Sequence, residues 1–113
     1  MDVVSATSKS RFLSKEDAGD GLNFVIGDVK RENVSIPGKG ETTETVVYSN
    51  NGIKPFICNI TNAKRITQIV GSRKREDWIG KTIQLFNDPT VRNLKGETVG
   101  GLRVRKAEEE VPF

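Results

Sequence analysis

The feature that most constrains the fold is a single helix pattern placed between segments with strand patterns. Apolar residues recur at helical spacing from Ala63 to Val70, and Gly71 follows them as a stop signal. Asn59 or Thr61 can cap the start of this helix. A helix between strands must pack its apolar face against the sheet that the strands make, so its position restricts the fold to a few layouts.

The segments on both sides of the helix have the composition and spacing of β-strands. Three lie before it and two after it, at 22–31, 45–49, 53–59, 81–86 and 97–105. Three strands, a helix and two further strands is the element order of the OB-fold, a five-stranded, partly open barrel. The sequence therefore predicts a mainly β protein, a five-stranded OB-fold barrel with one helix between strands three and four.

Glycine, proline and asparagine mark the irregular points of this layout. Gly27 interrupts the alternation of the first strand and predicts a bulge or bend. The segment 34–43 contains Pro37 and is typical of a mobile loop. Asn51-Gly52 is the strongest local signal and predicts a two-residue hairpin turn with positive φ.

Alternation in the last two strands assigns side chains to faces. Ile83 and Leu85 should lie on one face of the fourth strand and Phe86 on the other. In the fifth strand Arg103 and Arg105 alternate with apolar residues, so these two arginines should face solvent or a ligand. Trp78, at the entry to the fourth strand, is interpreted as a core residue under the helix, with a base-stacking platform as the alternative.

The two ends of the chain differ from this body. Residues 1–11 are rich in serine and threonine without periodicity, which predicts a flexible N-terminus. Ser14 is followed by a short polar segment and can cap one helical turn. We therefore divide the chain into a flexible N-terminus at 1–11, an OB-fold domain at 12–106 and an acidic tail at 107–113.

The composition excludes several function classes. The 113 residues include no histidine and one cysteine, Cys58, so the chain has no zinc set, no internal disulfide and no histidine-activated nucleophile. Gly80-Lys81-Thr82 and Gly38-Lys39-Gly40 lack the further glycines of phosphate-binding motifs. We expect a protein that is not an enzyme and needs no cofactor or metal. No apolar run approaches a membrane span and no signal pattern is present, so the expected location is the cytoplasm.

Charge is distributed unevenly along the chain. Residues 54–106 contain 12 basic and 4 acidic residues, whereas Glu108, Glu109 and Glu110 form an acidic run just before the end. A basic body favours a polyanionic ligand, and an acidic end suits a second kind of partner.

The final residues carry a resemblance to a known family. Three glutamates followed by Val111-Pro112-Phe113 resemble the C-terminal tip of bacterial single-stranded DNA-binding proteins. In that family the tip is a docking peptide for replication and repair enzymes: the terminal phenylalanine fills an apolar pocket and the acids steer the approach. The resemblance implies that the protein-partner residues are Glu108, Glu109, Glu110, Val111, Pro112 and Phe113. A plain solvated acidic tail is the alternative.

The body carries a second resemblance. Asn59-Ile-Thr-Asn-Ala63 and Trp78-Ile-Gly-Lys-Thr-Ile-Gln-Leu-Phe86 are similar to segments of small phage proteins encoded near replication and recombination genes. This resemblance covers most of 12–105. Compared with bacterial single-stranded DNA-binding proteins the body is short and the linker before the tail is nearly missing.

The OB-fold also indicates where a strand would bind. Such folds bind a single nucleic-acid strand across the face of β-strands two and three. The loops that join β-strands one to two and four to five flank this face. Cations there follow the phosphates and aromatic rings stack on bases. The candidate nucleic-acid-binding residues are Lys39, Tyr48, Lys54, Phe56, Lys81, Phe86, Arg92, Lys95, Arg103 and Arg105. For Tyr48 and Phe56 the barrel core is an equal alternative, because a one-residue register shift reverses the face.

These observations together predict a phage-type, sequence-nonspecific single-stranded DNA-binding protein. It would act in replication or recombination in the host cytoplasm and recruit partner enzymes through its tip. Two alternatives remain: an OB-like adaptor or inhibitor of a host protein, and an RNA-binding OB domain. The sequence leaves the oligomeric state open, with a homodimer among the options.

Overall fold

A computed structural model describes residues 11–36 and 40–107 of the chain. Within these ranges the elements in chain order are α1 (Lys15–Ala18), β1 (Leu22–Ile36), β2 (Gly40–Ser49), β3 (Phe56–Cys58), α2 (Ile60–Val70), α3 (Arg75–Trp78), β4 (Thr82–Asp88) and β5 (Gly101–Lys106). None of the helices in this described part is long and apolar enough to cross a membrane.

The strands form one antiparallel sheet in the order β3-β2-β1-β4-β5. The prediction of a mainly β protein with five strands is therefore confirmed. The sheet is not closed into a barrel: within the described residues no ladder joins β3 to β5, and these two strands are its edges. Two helices, α2 and the short α3, lie between β3 and β4 in chain order, where the sequence predicted one.

β1 is the centre of the sheet because it pairs with both β2 and β4. Its first residues, from Leu22, pair with β4, and its later residues pair with β2. The register shifts between Ile26 and Asp28, which confirms the bulge predicted at Gly27. A Cβ on Gly27 would lie 2.9 Å from the Cβ of Asn50, so only glycine fits there without a shift of the neighbouring backbone.

The prediction of a mobile loop at 34–43 is wrong for most of that segment. β1 extends to Ile36, β2 begins at Gly40, and the two strands remain paired up to these residues. The segment contains β-branched residues such as Thr42 and Thr43, which favour strands. Pairing between β1 and β2 also satisfies the backbone hydrogen-bonding groups of the segment, and together these effects outweigh the local signal of proline and glycine. Lys39 lies outside the described residues.

The turn between β2 and β3 is at the predicted place but has a different form. The β2–β3 register is centred on Asn51 and Gly52, and Gly52 has a φ of 83°. Asn51 does not have a positive φ, and the ladder stops at Val47, so this is not the two-residue turn that was predicted. The Ser49 hydroxyl instead bonds the backbone of Ile53 and closes a wider loop.

Other boundaries move by a few residues. β3 begins only at Phe56, after Pro55, which has no N–H to donate to a ladder. β5 begins at Gly101, four residues later than predicted, and β4 continues to Asp88. The helix predicted at 61–70 corresponds to α2, with the Asn59 side chain as its cap and Gly71 in the left-handed conformation at its end.

The core lies between the sheet and the helices. Phe24 and Phe56 meet edge to face with 5.1 Å between ring centroids, and Ile66 of α2 is fully buried in the same cluster. Trp78 is 6% exposed and donates its indole N–H to the carbonyl of Ser72 at 2.8 Å. The interpretation of Trp78 as a core residue is confirmed.

Helix α2 also covers the free edge of β5. Asn62 donates its side-chain amide to the carbonyl of Leu102 at 3.0 Å, and Arg65 donates to the carbonyl of Val104 at 3.5 Å. An uncovered edge strand offers unpaired backbone groups to other chains. The helix therefore protects one edge of the sheet while its apolar face fills the core.

Candidate functional site

The solvent side of β4 and β5 carries an aromatic ring between arginines. We call Phe86, Arg103 and Arg105 the β4–β5 surface. Phe86 pairs with Arg103 across the ladder, and Arg105 pairs with Gln84, so all of these side chains leave the sheet on the same face. Ile83 and Leu85 are fully buried on the other face, which confirms the predicted alternation.

Arg105 lies over the aromatic ring of this surface. Its guanidinium carbon is 4.3 Å from the Phe86 ring centroid. The side chain is held there by a hydrogen bond from its Nε to Gln84 and by a second one, of 2.6 Å, to the carbonyl of Asp20. A Cβ on Gly21 would lie within 3.1 Å of Arg105, so this glycine leaves room for the guanidinium. Arg105 is exposed, and its outer face is open to a planar group.

The loop between β4 and β5 adds two more exposed cations. Arg92 forms an isolated bridge with Thr98, and Lys95 lies at the tip between these residues. The Lys15 ammonium of α1 donates to the carbonyl of Val99 at 2.7 Å and ties the loop to the body. Five of the ten candidates thus lie on the β4–β5 surface or in the loop next to it in sequence.

Asp88, at the end of β4, and Glu97, in the loop, are carboxylates of this region within the described residues. The side chain of Asp88 accepts hydrogen bonds from the hydroxyl and the backbone N–H of Thr90, and these bonds lower its pKa, with smaller contributions from the nearby charges of Arg103 and Arg65. Asp88 therefore remains charged at neutral pH, and its hydrogen bonds to Thr90 stabilise the turn after β4.

Tyr48 lies on a different face, in a network of charges that compensate one another. Its hydroxyl donates to Glu32 at 2.6 Å, and Arg11 donates to the same carboxylate at 3.1 Å. The Lys30 ammonium lies 5.2 Å from the Tyr48 ring centroid. The hydrogen bond between Tyr48 and Glu32 raises the tyrosine pKa and lowers the glutamate pKa. We call these four residues the Tyr48 network.

Phe56 and Lys54 are also separate from the β4–β5 surface. Phe56 is fully buried against Phe24, so its assignment to the binding site is wrong and the core alternative is correct. Its place in the β2–β3 register turns its ring inward. The Lys54 ammonium lies 3.8 Å from the carboxylate of Asp17 in α1.

Two remaining predictions lie elsewhere. Lys81 is exposed before β4 and lines a shallow cavity together with Lys106. Lys39 and the tail residues Glu108, Glu109, Glu110, Val111, Pro112 and Phe113 are outside the described residues. Their assignments stay predictions.

A second basic surface was not predicted. A groove of about 620 Å³ runs between the β1–β2 hairpin and the helices, and we call it the basic groove. Lys30 and Arg31 of β1 lie along one side, and Lys64, Arg73 and Arg75 lie along the other. Charge runs at Lys64-Arg65 and Arg73-Lys74-Arg75 were visible in the sequence, but only the packing of α2 on β3 and β5 brings Lys64, Arg73 and Arg75 opposite β1.

Carboxylates are scarce around the basic groove. Its lining residues include none within the described part of the chain. Asp28, just outside, accepts a hydrogen bond of 2.8 Å from Arg75 and lies 3.8 Å from the Lys30 ammonium. The Arg75 bond lowers the pKa of Asp28. Lys64 and Arg73 have no ion pair or side-chain hydrogen bond with any residue that the structure describes.

A metal-binding cluster is not evident in the described ranges. Among residues 11–36 and 40–107 no three acidic or cysteine side chains cluster in a way that would hold a metal ion. The Cys58 thiol is buried, and burial raises its pKa to about 12, so it is neutral and unreactive near pH 7.

Comparison with known proteins adds no assignment. No protein-family model, curated protein or solved structure matches this chain.

Proposed function

We propose that this chain is a sequence-nonspecific single-stranded DNA-binding protein of the OB-fold type. The observation that carries the proposal is the β4–β5 surface, where Arg105 lies on the Phe86 ring and Arg103 stands beside it on the same exposed face. An aromatic ring with a planar cation over it offers a surface on which unpaired bases can stack, and the positive charge can bind the phosphates that link them. We infer a role in phage DNA replication or recombination from the resemblances of the body and tip.

The sheet supports the OB-fold assignment. In an OB-fold a partly open five-stranded barrel is built from antiparallel strands with Greek-key connections. In this chain β1 pairs with both β2 and β4, β3 and β5 are the edges, and α2 follows β3 and packs along β5. Curling of this sheet would bring its two edges toward each other around the helix.

The chemistry of binding needs only stacking and charge. A base that stacks on the Phe86–Arg105 pair would contribute roughly 1–3 kcal/mol, with little preference for sequence. Arg103, Arg92 and Lys95 would neutralise phosphates and release counterions, so affinity would fall steeply with salt. Aromatic residues are 6% of the chain, so charge contributes more than stacking.

The acidic tip has a separate role in this proposal. Glu108, Glu109 and Glu110 would steer replication or recombination enzymes to Val111, Pro112 and Phe113, which would anchor in an apolar pocket of the partner. When no partner is bound, the same acids would compete with DNA for the basic surfaces.

An adaptor of a host protein is the second candidate. It is favoured by Ile60, which is 74% exposed at the end of the basic groove. Exposed apolar side chains beside basic ones are common in protein interfaces.

A fluorescence-anisotropy titration tests the function. Labelled single-stranded DNA, single-stranded RNA and duplex DNA of equal length are titrated with the full chain at two salt concentrations. Single-stranded DNA binding that exceeds duplex binding and weakens steeply with salt is the expected result. Preference for RNA would reassign the ligand, and absence of binding to all three at low salt would contradict the proposal and favour the adaptor.

A further inference from the structure

The basic groove is an open surface depression next to helix α2. It is bounded by β1 on one side and by α2 and the segment before α3 on the other, and it is open to solvent along its length. A neighbouring cavity of about 540 Å³ shares Arg31, Thr45, Ile60 and Ala63 with it and lies past the start of α2, where Glu44 also lines it. The two cavities together follow the helix for at least two turns.

The two sides of the groove carry cations and its floor is apolar. Arg31 lies opposite Lys64, Arg73 and Arg75 across a floor that includes Val29 and Ala63, and Lys30 lines the edge that adjoins the Tyr48 network. One carboxylate, Asp28, is shared by Lys30 and Arg75, so most of the positive charge has no counter-charge among the described residues. A chain of negative charges with apolar groups between them is the ligand that matches this arrangement.

The face that an OB-fold usually offers to a strand differs from the groove. On the β1–β2 hairpin the Tyr48 hydroxyl and Arg11 both bond Glu32, and Glu44 lies on the same face as Tyr48. Carboxylates on that face repel phosphates, and its tyrosine is already engaged. The observations therefore favour the groove side of the hairpin for a polyanion.

We propose that the basic groove is a second contact surface for the single-stranded nucleic acid, distinct from the β4–β5 surface. Phosphates lie between the two rows of cations, and the apolar faces of sugars and bases cover Val29, Ile60 and Ala63. This inference rests on the proposed function, and it assigns part of the binding site to residues on the helical side of the sheet.

The test removes charge from the groove without disturbing the fold. The variant Lys64→Ala/Arg73→Ala removes two groove cations that have no partner among the described residues. The matched control Lys74→Ala/Lys106→Ala removes two exposed cations that do not line the groove. Circular dichroism and thermal melting establish that both variants are folded. Labelled (dT)20 is then titrated with each full-length protein across a salt series.

The expected result is a change in salt dependence for one variant only. For single strands, each phosphate contact removed lowers the steepness of log K against log salt by about 0.7. The slope of the groove variant should therefore be smaller by roughly 1.4, and the control should retain the wild-type slope. We also expect a bromodeoxyuridine-substituted strand to crosslink to peptides that contain residues 60–68.

Three results would overturn the inference. If wild type binds (dT)20 and the two double variants have equal slopes, the groove is not a contact surface and the proposed function still stands. If wild type does not bind, the function and the inference fail together. If the groove variant binds (dT)20 with the wild-type salt slope, but the labelled peptide Glu-Glu-Glu-Val-Pro-Phe binds wild type and not the groove variant, the groove is a peptide site.

Discussion

The Tyr48 network and the β4–β5 surface contain the same kinds of residue in opposite electrostatic states. In the Tyr48 network Arg11 and the tyrosine hydroxyl both bond Glu32, so the positive charge of Arg11 is paired with a carboxylate of the same surface. On the β4–β5 surface Arg105 bonds a neutral amide and a carbonyl, and it retains its full charge toward solvent. A basic residue whose charge is not already paired with a carboxylate is more available to a ligand than one that is paired.

The largest expected effect separates a buried ring from an exposed one. Phe56→Ala should lower the free energy of unfolding by about 3–5 kcal/mol, because it removes a fully buried ring that packs on Phe24. Phe86→Ala, on the solvent face, should lower it by much less. Urea denaturation of both variants measures the difference, and equal losses would show that the two faces of the sheet are not distinct.

DNA affinity should show the reverse order. Phe86→Ala should weaken binding of (dT)20 by roughly 1–3 kcal/mol, since a stacking platform is lost. Arg105→Ala should weaken it as well, because it removes both a charge and the flat group above the ring. Anisotropy titration measures both. Leu94→Ala, an exposed apolar position in the adjoining loop, is the control and should bind as wild type does.

Salt dependence should distinguish free arginines from paired ones. Arg103→Ala should reduce the slope of log K against log salt by about 0.7, as expected for one lost phosphate contact to a single strand. Arg11→Ala should leave the slope unchanged, because Glu32 already neutralises this residue. A fall in slope for Arg11→Ala that equals the one for Arg103→Ala would mean that pairing does not decide availability.

The acidic tip should have a smaller effect on DNA binding. Deletion of Glu108–Phe113 should leave affinity for (dT)20 unchanged or raise it a few-fold at low salt, because three carboxylates no longer compete for the basic surfaces. A control with the three glutamates replaced by glutamine should behave in the same way. A large loss of affinity after deletion would refute the competition.

The smallest expected effect is the acid sensitivity of the Tyr48 network. The pKa of Glu32 is lowered from 4.5 by its hydrogen bonds, those from Tyr48 foremost, so the folded state favours the ionised carboxylate. The contribution of Glu32 to stability is therefore present above pH 4.5 and is lost as the pH falls through its folded-state pKa. Urea midpoints of wild type and Glu32→Gln should differ at pH 6 and converge in acid. A constant difference would contradict the assignment.

Much of the secondary structure could be predicted from the sequence because it depends on local signals. The alternation in β4, the glycine bulge in β1 and the cap and stop residues of α2 could all be predicted from the residue pattern, and the structure has each of them. The full length of the β1–β2 hairpin was not predicted. The two strands pair up to Ile36 and Gly40, and this pairing outweighs the loop preference of the local proline and glycine residues. Of the candidate binding residues, Phe86, Arg103 and Arg105 lie together on one face, whereas Phe56 is in the core.

The sequence by itself determined the approximate places of α2 and the five strands, the excess of basic residues after residue 53 and the acidic tip, because these depend on the order of residues along the chain. The tertiary structure decided which cations are free and which are paired. Lys64 and Arg73 line the same groove as Arg31 only because α2 packs on β3 and β5. The availability of a charge depends on neighbours that are distant in sequence, and only folding brings these together.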